Sequence, residues 1–175
     1  MIQAKVDHNE SPALVVYTDS DFASCPHTAK STSRVVYILK TGDARYPLLW
    51  SSKKQSSTAR PTTEAKLIAC ASALFGEVLN LHAMIESLVV MHVPIVFEQD
   101  NQAAITVMTT GYLAKLRPCG RIHRVNAAPI HEQLEQEILT LRYCETSTQA
   151  ANGLTKIITP AEWQQTLEQF CPKPR

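Results

Sequence analysis

The chain has 175 residues, of which 45% are hydrophobic, and its formal net charge is +1. This length fits one domain with a sizeable core, and this hydrophobic content excludes a disordered chain. No stretch approaches the roughly 18 apolar residues of a membrane span, and the polar N-terminus lacks the apolar segment of a secretory signal. We therefore expect a polar leader (1–13), a single domain (14–175), no membrane partner, and an intracellular location in the cytoplasm, the nucleus or both.

Three closely spaced segments rich in β-branched and aromatic residues, 14–19, 34–40 and 46–51, are predicted strands. Their short connections favour an antiparallel meander. A fourth strand, 93–99, follows a long helix, and a strand reached through a helix is expected to lie parallel to an earlier one. An alternating segment, 138–143, is the fifth predicted strand.

The remaining segments are predicted to be helical. Short helices are expected at 101–109 and 129–137, and two capping-box patterns predict helices at 149–156 and after Pro160. The order β-β-β-α-β-α-α-β-α therefore predicts an α/β domain with a mixed sheet.

The long helix opens with a carboxylate on its apolar face. Steps of three and four residues from Glu64 define one helical stripe, which consists of Leu67, Ala71, Leu74, Val78, Leu81, Ile85 and Leu88. A carboxylate at the core-facing start of such a helix is costly unless something compensates its charge. Cys70, within the same helix, is most simply a buried thiol. The five scattered cysteines form no C-x-x-C pair, which favours a reducing compartment.

Two aspartates, Asp19 and Asp100, each end a predicted apolar strand. If these strands are parallel neighbours, both carboxylates lie at one sheet edge, which Glu64 can also reach. Clustered carboxylates need cations, and hard oxygen ligands select Mg²⁺ or Mn²⁺. Two such ions can support phosphodiester hydrolysis. Each acid also has a structural interpretation: an Asx turn for Asp19, a helix N-cap for Asp100, and a favourable helix-dipole contact for Glu64.

Positive charge is concentrated in two segments. Between residues 22 and 61 there are seven basic residues and one acid, and between 111 and 130 four basic residues and no acid. Such patches suit a phosphate backbone, although an ordinary solvated surface has the same composition.

Five segments resemble the ribonuclease H domain of copia-type (Ty1/copia) LTR retrotransposon polyproteins. In chain order they are YTDSDFAS (17–24), KSTSRVVYIL (30–39), LWSSKKQSSTARPTTEAKLIA (49–69), DNQAAI (100–105) and ANGLTK (151–156). The resemblance implies a ribonuclease H-like fold, with a five-stranded mixed sheet in the order 3-2-1-4-5 flanked by helices. It also implies cleavage of the RNA strand of RNA·DNA hybrids with two Mg²⁺ (or Mn²⁺) ions, beside the reverse transcriptase region of the same polyprotein.

The first three acidic ligands of the family correspond to Asp19, Glu64 and Asp100. The fourth position is occupied by the neutral Asn152, whose carbonyl can still ligate a hard cation but brings no charge. Asp21 is expected to be a turn or supporting residue rather than a ligand. The family's K-H-I-D-I segment reads IHRVN here, so a histidine is kept at His123 while Val125 replaces the aspartate.

Further residues are candidates for contact with nucleic acid, with plain solvent exposure as the alternative. They are Lys53, Lys54, Ser56, Ser57, Thr58, Arg60, Asn101, Gln102, His123 and Arg124. The sequence leaves three hypotheses open: an active ribonuclease H, possibly impaired by Asn152; a catalytically degenerate, co-opted module that binds nucleic acid or a protein partner; and an otherwise active enzyme into which Asn152 was introduced.

Overall fold

A computed structural model describes residues 11–23, 27–56, 62–111, 127–154 and 159–170. Within them, five strands form one sheet in the order β3-β2-β1-β4-β5, which confirms the expected mixed sheet. The first three strands are antiparallel, whereas β4 lies parallel to both β1 and β5. The strands are β1 (Ala13–Asp21), β2 (Thr32–Thr41), β3 (Ala44–Lys54), β4 (Ile95–Gln99) and β5 (Leu139–Tyr143).

The helical segments complete the chain in sequence order. They are α1 (Thr62–Ala73), a π-helical turn (Leu74–Val78), α2 (Leu79–Val89), α3 (Gln102–Thr110), α4 (Ala128–Glu135), two 3₁₀ turns (Thr146–Thr148 and Ala150–Leu154) and α5 (Pro160–Phe170). The predicted leader falls mainly outside the described residues, and Ala13 already belongs to β1.

The sheet buries both faces. Alternate residues of β1, including Leu14 and Val16, join the larger core with the long helix, α3 and α4. The intervening residues Val15 and Tyr17 join a smaller core that Ala151 of the second 3₁₀ turn helps to cover. Because β1 is buried on both faces, its sequence is a continuous apolar run that ends only at the polar sheet edge.

The helical segment Thr62–Val89 runs without interruption through the π turn. Its stripe packs as predicted from Leu67 to Ile85, but Leu88 is 73% exposed, because Ile85 is the last residue of α2 buried against the core. By length and composition alone this 28-residue segment could cross a membrane. Core helices that pack on a sheet, as this one does, meet the same criterion.

The predicted helix 149–156 is wrong where the structure describes it. Residues 146–154 form two 3₁₀ turns separated by Gln149, whose backbone is extended. The reason is tertiary: the Gln149 side chain is buried and donates hydrogen bonds to the carbonyl oxygens of Thr18 and Glu98. These contacts to two central strands outweigh the local capping signal.

Candidate active site

Two aspartates meet at the sheet edge around one lysine ammonium. Asp19 lies near the end of β1 and Asp100 directly follows β4, as expected for adjacent parallel strands. Lys66 Nζ of α1 donates to Asp19 Oδ1 and to Asp100 Oδ1, both at 2.6 Å. All three side chains are at most 9% exposed. The two carboxylate oxygens therefore lie no more than twice that distance apart and share one positive charge.

This ion-pair cluster shifts the titration of its lysine. Burial by itself would lower the pKa of Lys66, but the charges of Asp19 and Asp100 and their hydrogen bonds raise it above its usual value. Lys66 is consequently a permanent cation at neutral pH, and it lies where the two aspartates jointly bind positive charge.

Glu64 occupies the first turn of α1 and is fully buried, as the helical stripe predicts. It lies two residues before Lys66 at the end of α1 that meets β1. The donor set of Asp19, Glu64 and Asp100 consists of buried carboxylates, two of which already converge on one cation. Such oxygen donors fit a hard divalent ion better than a soft one.

The N-cap of α3 is Asn101 rather than Asp100. The Asn101 side chain accepts a hydrogen bond from the Ala104 backbone N–H at 2.9 Å. The capping interpretation of Asp100 is therefore wrong, and its carboxylate is engaged by Lys66 and, at 3.3 Å, by the Thr146 hydroxyl.

A buried glutamine anchors the backbone at Asp100. Gln99 Oε1 accepts hydrogen bonds from the backbone N–H groups of Asp100 and Asn101, while its Nε2 donates to Thr18 Oγ1 and Cys70 Sγ. One side chain thus links β4, β1 and α1 behind the acidic residues. Cys70 is buried as predicted, and burial raises the pKa of its thiol.

Asn152 reaches the same edge through Thr146. Its Nδ2 donates to the Thr146 carbonyl oxygen at 2.6 Å, and the Thr146 hydroxyl donates to Asp100 Oδ2. The structure thus links the fourth family position to the acidic centre through one intervening residue. The side chain brings no negative charge to that corner.

Arg34 lies beside the acids on β2, where it is the register partner of Asp19. Burial lowers the pKa of its guanidinium, against the raising effects of Asp21 and Asp19. Its Nε and Nη1 are buried without a hydrogen-bond partner among the described residues. Asp21, the last residue of β1, therefore serves as a charge neighbour of Arg34, in line with its predicted supporting role.

The predicted nucleic-acid contacts differ in their surroundings. Lys53 and Lys54 end β3 opposite Ser33 and Thr32, at the same sheet edge as Asp19. Both are exposed, and Lys53 Nζ forms an ion pair with Glu77 Oε1 at 2.6 Å. Ser56 and Gln102 are exposed and Asn101 is half-buried. Five predicted contacts lie outside the described residues, namely Ser57, Thr58, Arg60, His123 and Arg124.

Comparison with known proteins gives a consistent result at the level of the fold. No family model matches the sequence. The structure resembles LC11-RNase H1 from compost, solved in complex with an RNA/DNA hybrid, with a TM-score of 0.55, 16% identity, and coverage of 81% of this chain and 92% of that chain. It also resembles the PFV RNase H domain, with a TM-score of 0.50, 14% identity, and coverage of 91% and 95%.

The protein has a ribonuclease H-like fold. A third ribonuclease H-like neighbour is the N-terminal RNase H domain of rv2228c from Mycobacterium tuberculosis, with a TM-score of 0.50, 13% identity, and coverage of 88% of this chain and 98% of that chain. At these identities the neighbours establish the fold, and the chemistry of this ribonuclease H-like site rests on its own residues.

Three residues of the site were missed by sequence reasoning: Lys66, Gln99 and Gln149. The signals are visible in retrospect, because Lys66 interrupts an otherwise apolar start of α1 between Ala65 and Leu67, and Gln99 directly precedes Asp100. A polar residue inside an apolar run is expected to have a buried partner, but the sequence does not name that partner.

Proposed function

We propose that the protein is a metal-dependent endonuclease that hydrolyses the RNA strand of RNA·DNA hybrids. The observation that carries this proposal is the convergence of Asp19 and Asp100 on one buried cation position, with Glu64 buried at the adjacent helix start, in a ribonuclease H-like fold. The copia-like motifs support a role in reverse transcription by an LTR retrotransposon. In this setting the reverse transcriptase region of the same polyprotein is the partner, and the location is intracellular, in the cytoplasm, the nucleus or both.

Asp19, Glu64 and Asp100 would hold Mg²⁺ or Mn²⁺, with the Asn152 carbonyl as a neutral fourth ligand. When bound, two such ions supply activation of the attacking water and stabilisation of the departing 3′ oxygen. The residues of this chain prepare the site: Gln99 fixes the backbone at Asp100, and the Thr146 hydroxyl orients its carboxylate. A neutral ligand at Asn152 weakens the second ion more than the first.

Basic residues at the same edge would hold the substrate. Lys53 and Lys54 are exposed where β3 ends, and the Arg34 guanidinium lies beside Asp19. Cations in these positions attract the phosphate backbone, and their contribution should fall as salt rises. Contact of the exposed Ser56 with sugar 2′-hydroxyls would help to distinguish the RNA strand from DNA.

A second function, hybrid binding without turnover, is favoured by Lys66. Its ammonium already neutralises part of the charge of Asp19 and Asp100, so a divalent ion must compete with a tethered cation. Together with the neutral Asn152, this arrangement suits a degenerate module that keeps its fold and binding surface while cleaving slowly or not at all.

A cleavage and binding assay separates the two functions. The full chain is incubated with a labelled RNA·DNA hybrid and Mg²⁺ or Mn²⁺, beside Asp100→Asn and Asn152→Asp variants. Asp43→Asn is the matched control, since it makes the same chemical change at an exposed position in the β2–β3 turn. We expect metal-dependent cleavage that Asp100→Asn abolishes, Asp43→Asn leaves unchanged and Asn152→Asp increases.

Other results decide differently. Cleavage that appears only in Asn152→Asp means that the present chain is impaired at the fourth ligand. Hybrid that is bound but not cut by any variant selects the binding module. Hybrid that is neither bound nor cut removes both functions.

A further inference from the structure

A second group of metal-binding side chains lies at the C-terminal end of α2. His82 and Glu86 are one turn apart on this helix, and His92 follows it. The chain reverses at Val90, whose backbone is left-handed with a φ of 55°. One nitrogen or oxygen from each of the three side chains lies within 4.8 Å of the other two.

Glu86 Oε1 is the centre of this cluster. It lies 2.9 Å from His92 Nδ1 and 3.3 Å from His82 Nε2, and it accepts a hydrogen bond from the Val93 backbone N–H at 3.0 Å. The Val93 hydrogen bond, helped by the two histidines, lowers the pKa of Glu86. The carboxylate is therefore ionised and held in place before any ion arrives.

We propose that His82, Glu86 and His92 form a site for a borderline divalent transition-metal ion, with Zn²⁺ as the representative ion. Two imidazoles and one carboxylate are a ligand set that zinc uses, with a fourth position left for water or a carbonyl oxygen. In a tetrahedral site with bonds of about 2.0–2.1 Å, neighbouring ligand atoms are about 3.3 Å apart. The two distances from Glu86 Oε1 are already close to this value.

The proton balance of binding follows from the hydrogen bonds. His82 Nε2 lies 2.6 Å from the Val93 carbonyl oxygen, which can only accept, so Nε2 carries a proton in the metal-free protein. Zn²⁺ would replace this proton and release it to solvent, as metal binding to a protonated ligand requires. The Val93 carbonyl oxygen then becomes available beside the ion.

This site is separate from the acidic centre in both place and chemistry. Val93 precedes β4 and Asp100 follows it, so the two sites lie at opposite ends of that strand, about 23 Å apart at roughly 3.3 Å per residue. Imidazole nitrogens favour Zn²⁺, whereas the carboxylate oxygens of the acidic centre favour Mg²⁺ or Mn²⁺. A bound Zn²⁺ would tie the end of α2 to the segment that enters β4.

Zinc titration of the metal-stripped full chain, under reducing conditions and in competition with a chromophoric chelator, tests this site. We expect one Zn²⁺ per chain at the site and a higher melting temperature with Zn²⁺. His92→Ala and Glu86→Gln should each weaken binding at least about 10-fold, since loss of a mere outer partner already costs that much. The His92 side chain is 77% exposed, so its removal is compatible with folding.

Two controls make the result specific. Glu135→Gln alters a similar helical pair, in which His131 Nε2 lies 3.4 Å from Glu135 Oε1, and should leave zinc binding unchanged. Asp100→Asn should also leave it unchanged. With Co²⁺, the absorption spectrum should lack the charge-transfer band of a thiolate ligand.

Zinc binding that survives both His92→Ala and Glu86→Gln would overturn the proposal, as would binding abolished by Asp100→Asn or a thiolate band with Co²⁺. A failure of wild-type protein to bind Zn²⁺ would reduce the cluster to a hydrogen-bonded helix end. None of these outcomes depends on nuclease activity.

Discussion

At the scale of single residues, the acidic centre is defined by a lysine as much as by its acids. Asp19, Glu64 and Asp100 are buried or nearly so, and uncompensated burial of such groups is expensive. Lys66 offsets one of their three charges through two short ion pairs. The centre is thereby stable without a divalent ion, at the cost of competition when one arrives.

Replacing Lys66 should expose this competition. Lys66→Met keeps the length of the side chain but leaves Asp19 and Asp100 without their cation, and breaking a buried ion pair in this way costs about 3–5 kcal/mol. We expect this loss in the free energy of unfolding when a chelator is present. Mg²⁺ should restore more stability to the variant than to the wild type, because it no longer competes with the ammonium.

Urea unfolding with and without Mg²⁺ measures both effects. Lys54→Met, at an exposed position on β3, is the control and should change stability by no more than about 0.5 kcal/mol. An equal response of Lys66→Met and wild type to Mg²⁺ would show that Lys66 does not compete with the ion.

At the scale of elements, the C-terminal helix α5 is held by a close approach to the second 3₁₀ turn. A Cβ added at Gly153 would lie 2.2 Å from Thr166 Cγ2 and 2.5 Å from Thr166 Oγ1. Gly153 directly follows Asn152, so the packing of α5 also positions the turn that carries the fourth family ligand.

Gly153→Ala should therefore loosen α5. We expect a loss of about 1–3 kcal/mol in the free energy of unfolding, typical of overpacking a close contact. Thr166→Ala removes the two nearest atoms and should recover part of the loss when combined with Gly153→Ala. Thermal unfolding of the two single variants and the double variant gives the coupling, and simply additive losses would contradict the proposed clash.

A second connection between elements is formed by Glu77 of the π turn. Its carboxylate accepts hydrogen bonds from Lys53 Nζ of β3 and Tyr37 Oη of β2, at 2.6 and 2.8 Å. Burial would raise the pKa of Glu77, but these two partners lower it below its usual value. The carboxylate therefore links the π turn to two strands in its ionised form.

This link should depend on pH. Because the pKa of Glu77 is lowered by folding, its contribution is present above the unfolded-state pKa of about 4.3 and is lost as pH falls through the lower folded-state value. Glu77→Gln should lower the free energy of unfolding by up to about 1 kcal/mol at pH 7 and by less near pH 3. Glu132→Gln, on an exposed part of α4, should show no such trend, and a constant effect of Glu77→Gln at both pH values would contradict the link.

At the scale of the whole molecule, the two edges of the sheet differ in chemistry. The ends of β1, β3 and β4 bring the carboxylates together with Lys53 and Lys54, whereas Lys40 and Arg45 face each other at the opposite edge. If hybrid binds at the acidic edge, charge removed there should matter more than equal charge removed at the other.

The Lys53→Ala/Lys54→Ala double variant should weaken hybrid binding at low salt and reduce the salt slope by about one unit per lost phosphate contact. Lys40→Ala/Arg45→Ala removes the same charge at the far edge and should change both quantities much less. Fluorescence anisotropy across a salt series measures them. Equal effects of the two double variants would place the binding surface elsewhere.

The amino-acid sequence alone was sufficient for the order of the elements and for the sheet. Apolar runs and a helical stripe are local patterns, and crossover rules place β4 beside β1, so the meeting of Asp19 and Asp100 was predictable. The place of Glu64 followed from the same stripe. These features depend on neighbours in sequence or on general topology, which a single chain displays.

Only the tertiary structure decided the partners of the buried polar groups. Lys66 reaches strands 34 and 47 residues away in sequence, and Gln149 breaks its predicted helix to bind carbonyl groups of β1 and β4. Gln99 shows the same dependence, because its acceptors and donors lie on three elements. Burial requires each polar group to find a partner, and which partner is near depends on how distant segments pack.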